Sequence, residues 1–167
     1  MGEEIVADKS EFRRAFSEMM NEFGPGIYRY ALSLTGNEEL ANDIYQQTFL
    51  LLLEKKPKFT HRAQLNVWLM RCARKTAAAE RRRADNSRTV SLNDAGEQGE
   101  YDAGCAELYD YLSVLKEKYR EVTVLFYIED MSIKDISEIL KISTSAVKTR
   151  LSRARDMLKK IYEEELS

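Results

Sequence analysis

The chain has 167 residues, of which 44% are apolar and 32% are charged, a composition that excludes an intrinsically disordered chain. No apolar run approaches the roughly 18 residues that span a bilayer, so we expect no direct membrane insertion. Two cysteines, Cys72 and Cys105, and the single histidine His61 are too few for a structural zinc site, and we predict neither a metal nor a cofactor. The acidic start of the chain lacks the basic segment of a signal peptide, which favours a cytoplasmic location.

The net charge of −2 hides an uneven distribution along the chain. Residues 61–83 and residues 141–160 each carry seven lysines and arginines against one acidic side chain, whereas residues 97–130 carry nine acidic side chains against three basic ones. Two basic blocks separated by an acidic one predict two contacts with anionic surfaces. The alternative interpretation is that these blocks are ordinary solvated helix faces.

Apolar residues recur at helical spacing throughout the N-terminal half of the chain. We predict helices over residues 10–23, 27–34, 38–55 and 63–83. The run Gly24-Pro25-Gly26 is expected to stop the first helix, and Asn37 is expected to be the N-cap of the third. The second half of the third helix is apolar nearly all round, which indicates burial on several sides or a face for a partner.

A polar stretch with several glycines, residues 86–104, separates the two helical halves and is typical of an interdomain linker. The sequence therefore predicts an all-α protein of two small helical domains joined by a flexible linker. The expected bounds of the two domains are residues 8–85 and residues 105–167.

Residues 131–160 show the pattern of a helix-turn-helix, in which a supporting helix, a short turn and a second helix share one core. Ser132 and Ser143 are the predicted N-caps of the two helices, and Ile142 is expected to fill the core between them. The outward face of the second helix carries hydroxyl, lysine and arginine side chains, which can contact base edges and phosphates in the major groove. The alternative is a helical hairpin with a solvated basic face.

Residues 115–160 resemble region 4 of the extracytoplasmic-function (ECF) sigma factors, a subfamily of the sigma-70 family. In the second helix the matching residues are Val147, Lys148, Arg150, Leu151, Arg153 and Ala154. The resemblance implies that this helix recognises the promoter −35 element through Ser145, Ala146, Lys148, Thr149, Arg150, Ser152 and Arg153. Lys141 departs from the family pattern, which prefers glycine in the turn, and a left-handed lysine there would cost about 1–2 kcal/mol.

Residues 30–49 resemble part of region 2 of the same family. The matching residues are Ala31, Leu34, Thr35, Gly36, Ala41, Asp43, Gln46, Thr48 and Phe49. In the family this helix binds core RNA polymerase, and the residues implied at the contact are Asp43, Gln46, Gln47 and Leu50. These four lie at i, i+3, i+4 and i+7, on one face of a helix. Gln47 stands where the family has an acidic residue.

Residues 66–83 resemble the part of region 2 that opens and recognises the promoter −10 element. The matching residues are Trp68, Leu69, Arg71, Ala73, Arg74 and the arginines at 81–83. Promoter melting needs a basic track along a single DNA strand. The resemblance implies that this track consists of Arg71, Arg74, Lys75, Arg81 and Arg82. We interpret Trp68 as a core residue rather than a stacking platform.

The two resemblances, in this order along the chain, imply a sigma factor that binds core RNA polymerase and promoter DNA and directs promoter-specific initiation. They also imply an anti-sigma factor as a partner, and we expect a monomer when the protein is free. An enzyme is not expected, because His61 has no evident catalytic partner and no Gly-rich phosphate loop occurs. Two other classes stay open: a conventional helix-turn-helix repressor or activator that binds DNA without polymerase, and a helical adaptor that binds only protein.

Overall fold

The computed structural model describes residues 9–86 and 103–166. Its helices are α1 (Lys9–Thr35), α2 (Glu38–Lys55), α3 (Arg62–Asn86), α4 (Ala103–Ser113), α5 (Glu117–Thr123), α6 (Ile133–Leu140) and α7 (Thr144–Leu166). The described residues contain no strand, and the predicted all-α class is confirmed. Residues 87–102, which make up most of the predicted linker, lie outside the described part of the chain.

Helices α1, α2 and α3 pack on one another as the N-terminal bundle. Its core contains Ile27, Tyr30, Ile44, Leu69 and Met70, each at most 1% exposed. Along each helix the buried residues recur every three or four positions, the spacing that places them on one helix face. The bundle therefore buries one side of α2 and α3 and leaves the other side of each to solvent or to a partner.

Residues 9–35 form one continuous helix, so the two separate helices predicted over residues 10–23 and 27–34 are wrong. Pro25 lies inside the helix on its exposed side, where the missing backbone hydrogen bond is tolerated because the turns around it are packed into the bundle. The flanking glycines admit close neighbours: a Cβ on Gly24 would stand 3.0 Å from Tyr45 Oη, and a Cβ on Gly26 would stand 2.5 Å from Glu129 Oε2. These glycines provide space for neighbouring side chains and do not end the helix.

Helix α2 has the bounds that the sequence predicts. The side chain of Asn37 caps it, because its Oδ1 accepts a hydrogen bond from the Leu40 N–H at 3.1 Å. The helix ends where Lys56 adopts the left-handed conformation, with φ at 42°, and donates its N–H to the Leu52 carbonyl. The predicted N-cap is confirmed.

Helices α4 to α7 form the C-terminal bundle, whose core includes Val122, Leu125, Ile136, Val147 and Leu151. Helix α5 continues into one π-helical turn, Val124–Ile128, in which the Glu129 N–H donates to the Val124 carbonyl at 2.9 Å. This wider turn ends the helix and leads through a left-handed Asp130 into α6.

The two bundles contact each other directly. Helix α6 lies against α3, while α4, α5 and the π-helical turn lie against α1. This contact brings the acidic block of the sequence onto the first basic block, an arrangement that the periodicity of the sequence does not predict.

Candidate nucleic-acid and protein interfaces

The helix-turn-helix is built by two serine caps and one strained turn residue. Ser132 Oγ accepts the Asp135 N–H at 3.1 Å, and Ser143 Oγ accepts the Ala146 N–H at 3.1 Å, so both predicted caps are confirmed. Lys141, in the turn, has φ at 55° and is left-handed. The sharp turn therefore requires backbone strain at a residue other than glycine.

The outward face of α7 carries the side chains predicted for the −35 element. Val147, Leu151 and Ala154 are buried against α5 and α6, which fixes the rotation of the helix about its axis. The side chains on the opposite face are exposed at Ser145, Lys148, Thr149, Ser152 and Arg153 and half-buried at Ala146 and Arg150. All seven predicted residues therefore share one accessible surface, which we call the α7 face.

One arginine of the α7 face is also part of the bundle. Arg153 lies near the hydroxyl of Tyr119, and its guanidinium lowers the pKa of that phenol. Thr149 is engaged as well, since its hydroxyl donates to the Ser145 carbonyl at 3.0 Å within the helix. Lys148 is an exposed cationic side chain of this face.

Helix α2 presents the four predicted polymerase-binding residues as one exposed stripe. Asp43, Gln46, Gln47 and Leu50 are all exposed, and Leu50 keeps 55% of its surface in contact with solvent. The opposite face of α2 is buried in the N-terminal bundle. A stripe of polar groups ending in an exposed leucine has the composition of a surface that docks another protein.

The structure divides the predicted basic track on α3 into two groups. Arg71 is half-buried, and Lys75 and Arg82 are exposed and face solvent. Arg74 and Arg81 instead reach across to the C-terminal bundle, where each binds a glutamate of α5.

Glu121 forms the more buried of these two contacts. Its side chain is only 4% exposed, and Oε1 accepts hydrogen bonds from Arg74 Nε at 2.8 Å and from the Tyr30 hydroxyl at 2.5 Å. Burial, together with the neighbouring Glu121 charge, raises the pKa of Tyr30 well above its ordinary value. Tyr30 therefore stays a hydrogen-bond donor, and Glu121 has the partners that a buried carboxylate requires.

Arg81 connects three helices. It donates to Glu117 Oε1 at 2.6 Å and also to the Leu34 carbonyl, one of the carbonyls at the C-terminus of α1. Arg120 donates from α5 to the neighbouring Ser33 carbonyl at 2.9 Å. Helix α1 has no basic residue in its own last turn, so these two arginines supply the positive charge that stabilises its C-terminus.

The helical patterns in the sequence predicted no structural role for Glu117, Glu121 and Glu129. A signal for Glu121 was present, because a carboxylate in the middle of an apolar helix needs a partner when that helix is buried. The identity of the partner was not accessible, since Arg74 lies 47 positions away. Trp68 is half-buried with its ring edge-to-face on Phe59, 6.2 Å between centroids, as expected of a packing residue.

Within the part of the chain that the structure describes, no three His, Cys, Asp or Glu side chains cluster as metal ligands would. Nor does any helix among these residues combine the length and the apolar character needed to cross a bilayer. Cys72 is half-buried, and burial raises the pKa of its thiol.

Two family models match the chain, one on each bundle. "Sigma-70 region 2" matches residues 19–87, and "Sigma-70, region 4" matches residues 105–158. The region 2 match covers the α2 stripe and the α3 track, and the region 4 match covers the helix-turn-helix.

Curated relatives and solved structures agree with these matches. The ECF RNA polymerase sigma factor SigM of Bacillus subtilis is 30% identical over 144 residues, covering 81% of this chain and 88% of SigM. SigW of the same organism is 27% identical, covering 87% and 88%. The sigma factor RpoE, solved with the anti-sigma factor NepR from Bartonella quintana, shares the fold with a TM-score of 0.73 at 23% identity, covering 90% of this chain and 98% of that one. CnrH, solved with the cytosolic domain of CnrY, gives 0.68 at 25% identity, covering 91% and 90%.

Region 2 followed by region 4, with a helix-turn-helix in the second, defines a transcription-initiation factor of the sigma-70 class. The chain belongs to the ECF family of RNA polymerase sigma factors. As a sigma factor it binds core RNA polymerase and directs promoter-specific initiation, a role that is not enzymatic. A repressor or activator acting without polymerase is not favoured, because region 2 accounts for most of the N-terminal bundle.

Proposed function

We propose that three surfaces of this sigma factor have separate roles. The α7 face recognises the −35 element, α3 contacts the −10 element, and the exposed stripe of α2 (Asp43, Gln46, Gln47 and Leu50) binds core polymerase. The observation that carries the proposal is the α7 face, where seven promoter-binding candidates converge on one accessible surface. We also propose two domains, residues 8–85 and 105–167, joined by residues 86–104.

The α7 face fits a major groove because it is positively charged and because part of it lies near the N-terminus of the helix. Ser145, Lys148 and Thr149 lie in the first two turns, the part of a recognition helix that meets base edges. Lysine can donate to guanine edges, and hydroxyls can donate or accept at several bases. Arg150, half-buried at the edge of the face, suits a phosphate contact that positions the helix, whereas the exposed Arg153 can reach guanine edges or phosphates.

On α3, the exposed cations Lys75 and Arg82 and the half-buried Arg71 are available in the free protein to the backbone of a melted strand. Arg74 and Arg81 complete this track in our proposal once their glutamate partners leave. The α2 stripe lies on a different helix, so polymerase and the melted strand can be bound at the same time.

The direct test of the function is co-purification of the tagged protein with bacterial core RNA polymerase, followed by run-off transcription from genomic fragments. We expect stoichiometric association and new promoter-specific transcripts. Failure to bind core enzyme, combined with tight binding to DNA by the protein alone, would contradict the proposal and restore the repressor class.

Two double variants separate the surfaces and serve as controls for each other. Lys148→Ala with Arg153→Ala should reduce run-off transcription and weaken −35 DNA binding by about thirtyfold or more, because two contacts are lost and each is worth at least about 1 kcal/mol, while core binding is unchanged. Asp43→Ala with Gln46→Ala should weaken core binding and leave the thermal stability of the protein intact. Loss of core binding in the α7 double variant would refute the assignment of roles.

A regulator that holds this protein inactive is also part of the proposal. The structural neighbours RpoE and CnrH were solved with NepR, an anti-sigma factor, and with the cytosolic domain of CnrY. In this chain an apolar cleft of about 410 Å³ between α4, the end of α5 and α7 offers Leu108, Tyr127 and Leu158 to a protein partner. We expect a purified anti-sigma factor to suppress run-off transcription. The proposed location of this regulation is the cytoplasm, where the polymerase works.

A further inference from the structure

Among the residues that the structure describes, three ion pairs join the two bundles, and in each of them an arginine of the N-terminal bundle binds a glutamate of the C-terminal bundle. Two of the pairs, Arg74 with Glu121 and Arg81 with Glu117, engage the α3 track. The third joins Arg29 of α1 to Glu129, the residue that follows the π-helical turn. We call this set of pairs the interdomain latch.

The Arg29–Glu129 pair is bidentate. Arg29 Nε donates to Oε1 at 2.7 Å, Nη2 donates to Oε2 at 3.1 Å, and the Glu129 side chain is 6% exposed. A carboxylate at a helix C-terminus is repelled by the helix dipole, so its position there depends on the arginine. Glu129 Oε2 can approach α1 this closely because Gly26 has no side chain. A Cβ on Gly26 would stand 2.5 Å from Glu129 Oε2.

We propose that the free protein is autoinhibited by this latch: Glu117 and Glu121 occupy Arg81 and Arg74, so the backbone of a melted DNA strand reaches those arginines only after the two bundles separate. The inference rests on the proposed contact of α3 with the −10 strand. The two glutamates bring carboxylates to guanidinium groups that would otherwise bind phosphates.

The latch consists of charged groups, and its three pairs differ in exposure. The Arg81–Glu117 pair is 40% and 46% exposed on its two side chains, so it stabilises the closed arrangement only weakly. Contacts between domains that are polar in this way resemble transient interfaces, which open when a ligand binds the separated state better. The observed affinity of the free protein for a DNA strand is then the affinity of the open form multiplied by the fraction of molecules that are open.

The experiment uses the full chain with Glu129→Arg, a reversal that opens the latch at a residue outside all three proposed binding surfaces. The probes are small-angle X-ray scattering and fluorescence anisotropy with labelled oligothymidylate. The matched control is Glu18→Arg, which makes the same change in charge at an exposed pair on α1, Arg14 with Glu18. The double variant Arg29→Glu with Glu129→Arg restores the pair in the opposite orientation at the native net charge.

We expect Glu129→Arg to enlarge the radius of gyration and to raise oligothymidylate affinity about tenfold above Glu18→Arg, the gain for a protein that is about one-tenth open. The double variant should return both quantities to native values. A radius and an affinity equal to those of Glu18→Arg would overturn the latch.

A larger radius of gyration without a gain in oligothymidylate affinity would contradict the proposal that the latch masks the arginines. The sigma function itself is tested separately, by the run-off assay. Glu117→Gln serves as a second variant, because its exposed position carries little risk to folding. It should raise oligothymidylate affinity by a smaller factor, since it frees Arg81 alone, and no rise at all would contradict the proposal.

Discussion

Gly26 shows how one residue without a side chain determines a contact between distant parts of the chain. It lies inside a helix, where glycine is less favourable than alanine by about 1 kcal/mol. The cost is offset because the space beside it holds the carboxylate that binds Arg29. Gly24, two residues earlier, meets only the ring of Tyr45.

We therefore expect opposite outcomes from the same substitution at these two glycines. Gly26→Ala should lower the free energy of unfolding by about 1–3 kcal/mol, because the new methyl group displaces Glu129. Gly24→Ala should change it by less than about 1 kcal/mol, since the higher helix propensity of alanine offsets a tight contact with Tyr45. Urea unfolding of both variants measures the difference, and equal effects would show that Glu129 is not held against α1.

The shared helix face of the candidate polymerase-binding residues was predictable at this scale because it follows from helical periodicity, whereas their role came from the family resemblance. Asp43, Gln46, Gln47 and Leu50 follow one another at steps of three, one and three, which any helix places on one face. The partner of Arg74 was not predictable, because a pair between residues 47 positions apart depends on how two helical bundles meet.

At the scale of the element, the sequence indicated where helices begin better than where they end. Asn37, Ser132 and Ser143 were identified as caps because a short polar side chain before an apolar stripe has one dominant local use. Pro25 with its two glycines was misjudged as a helix stop, since burial against the rest of the bundle outweighs the local preference. The π-helical turn leaves no periodic signature in five residues.

Lys141 gives a prediction at this scale, because it is the residue that turns the chain between α6 and α7. Its left-handed backbone costs a β-carbon-bearing residue about 1 kcal/mol or more, so Lys141→Gly should raise the free energy of unfolding by about that amount. Lys134→Gly, the same substitution on the exposed side of α6, should lower it by about 0.5–1 kcal/mol. Thermal or urea unfolding distinguishes the two signs, and a loss of stability in Lys141→Gly would contradict the account of the turn.

At the scale of the whole molecule, the fold class and the order of the two helical parts followed from the sequence, whereas their mutual arrangement did not. Amphipathic stripes specify that each bundle has a core. They do not specify how the two bundles meet, a contact in which charge pairs join residues far apart in the chain.

This arrangement should respond to alkaline pH through Tyr30. Burial and then the Glu121 charge raise the pKa of Tyr30, while Arg74 opposes the shift and Glu117 adds to it slightly. A group with a raised pKa in the closed state favours closure fully below the ordinary pKa of about 10 and loses that contribution as pH rises above it. The cations of the latch are arginines, which keep their charge over this range.

The radius of gyration of the free protein should therefore increase above about pH 10, and Tyr30→Phe should abolish most of the increase. Tyr162→Phe, at an exposed tyrosine, is the control and should expand like the native protein. Scattering at neutral and alkaline pH measures both. An equal expansion in Tyr30→Phe would assign the opening to other groups.

The neutralised arginines of α3 also affect the non-specific binding of the free protein to chromosomal DNA. Non-promoter DNA outnumbers promoters by a very large factor and attracts proteins through exposed positive charge, without regard to sequence. A chain with a net charge of −2, in which two glutamates of α5 cover two arginines of the basic α3 surface, exerts less long-range attraction on that excess. Covering these two arginines therefore reduces the number of free copies held at non-promoter sites and leaves more of them for polymerase.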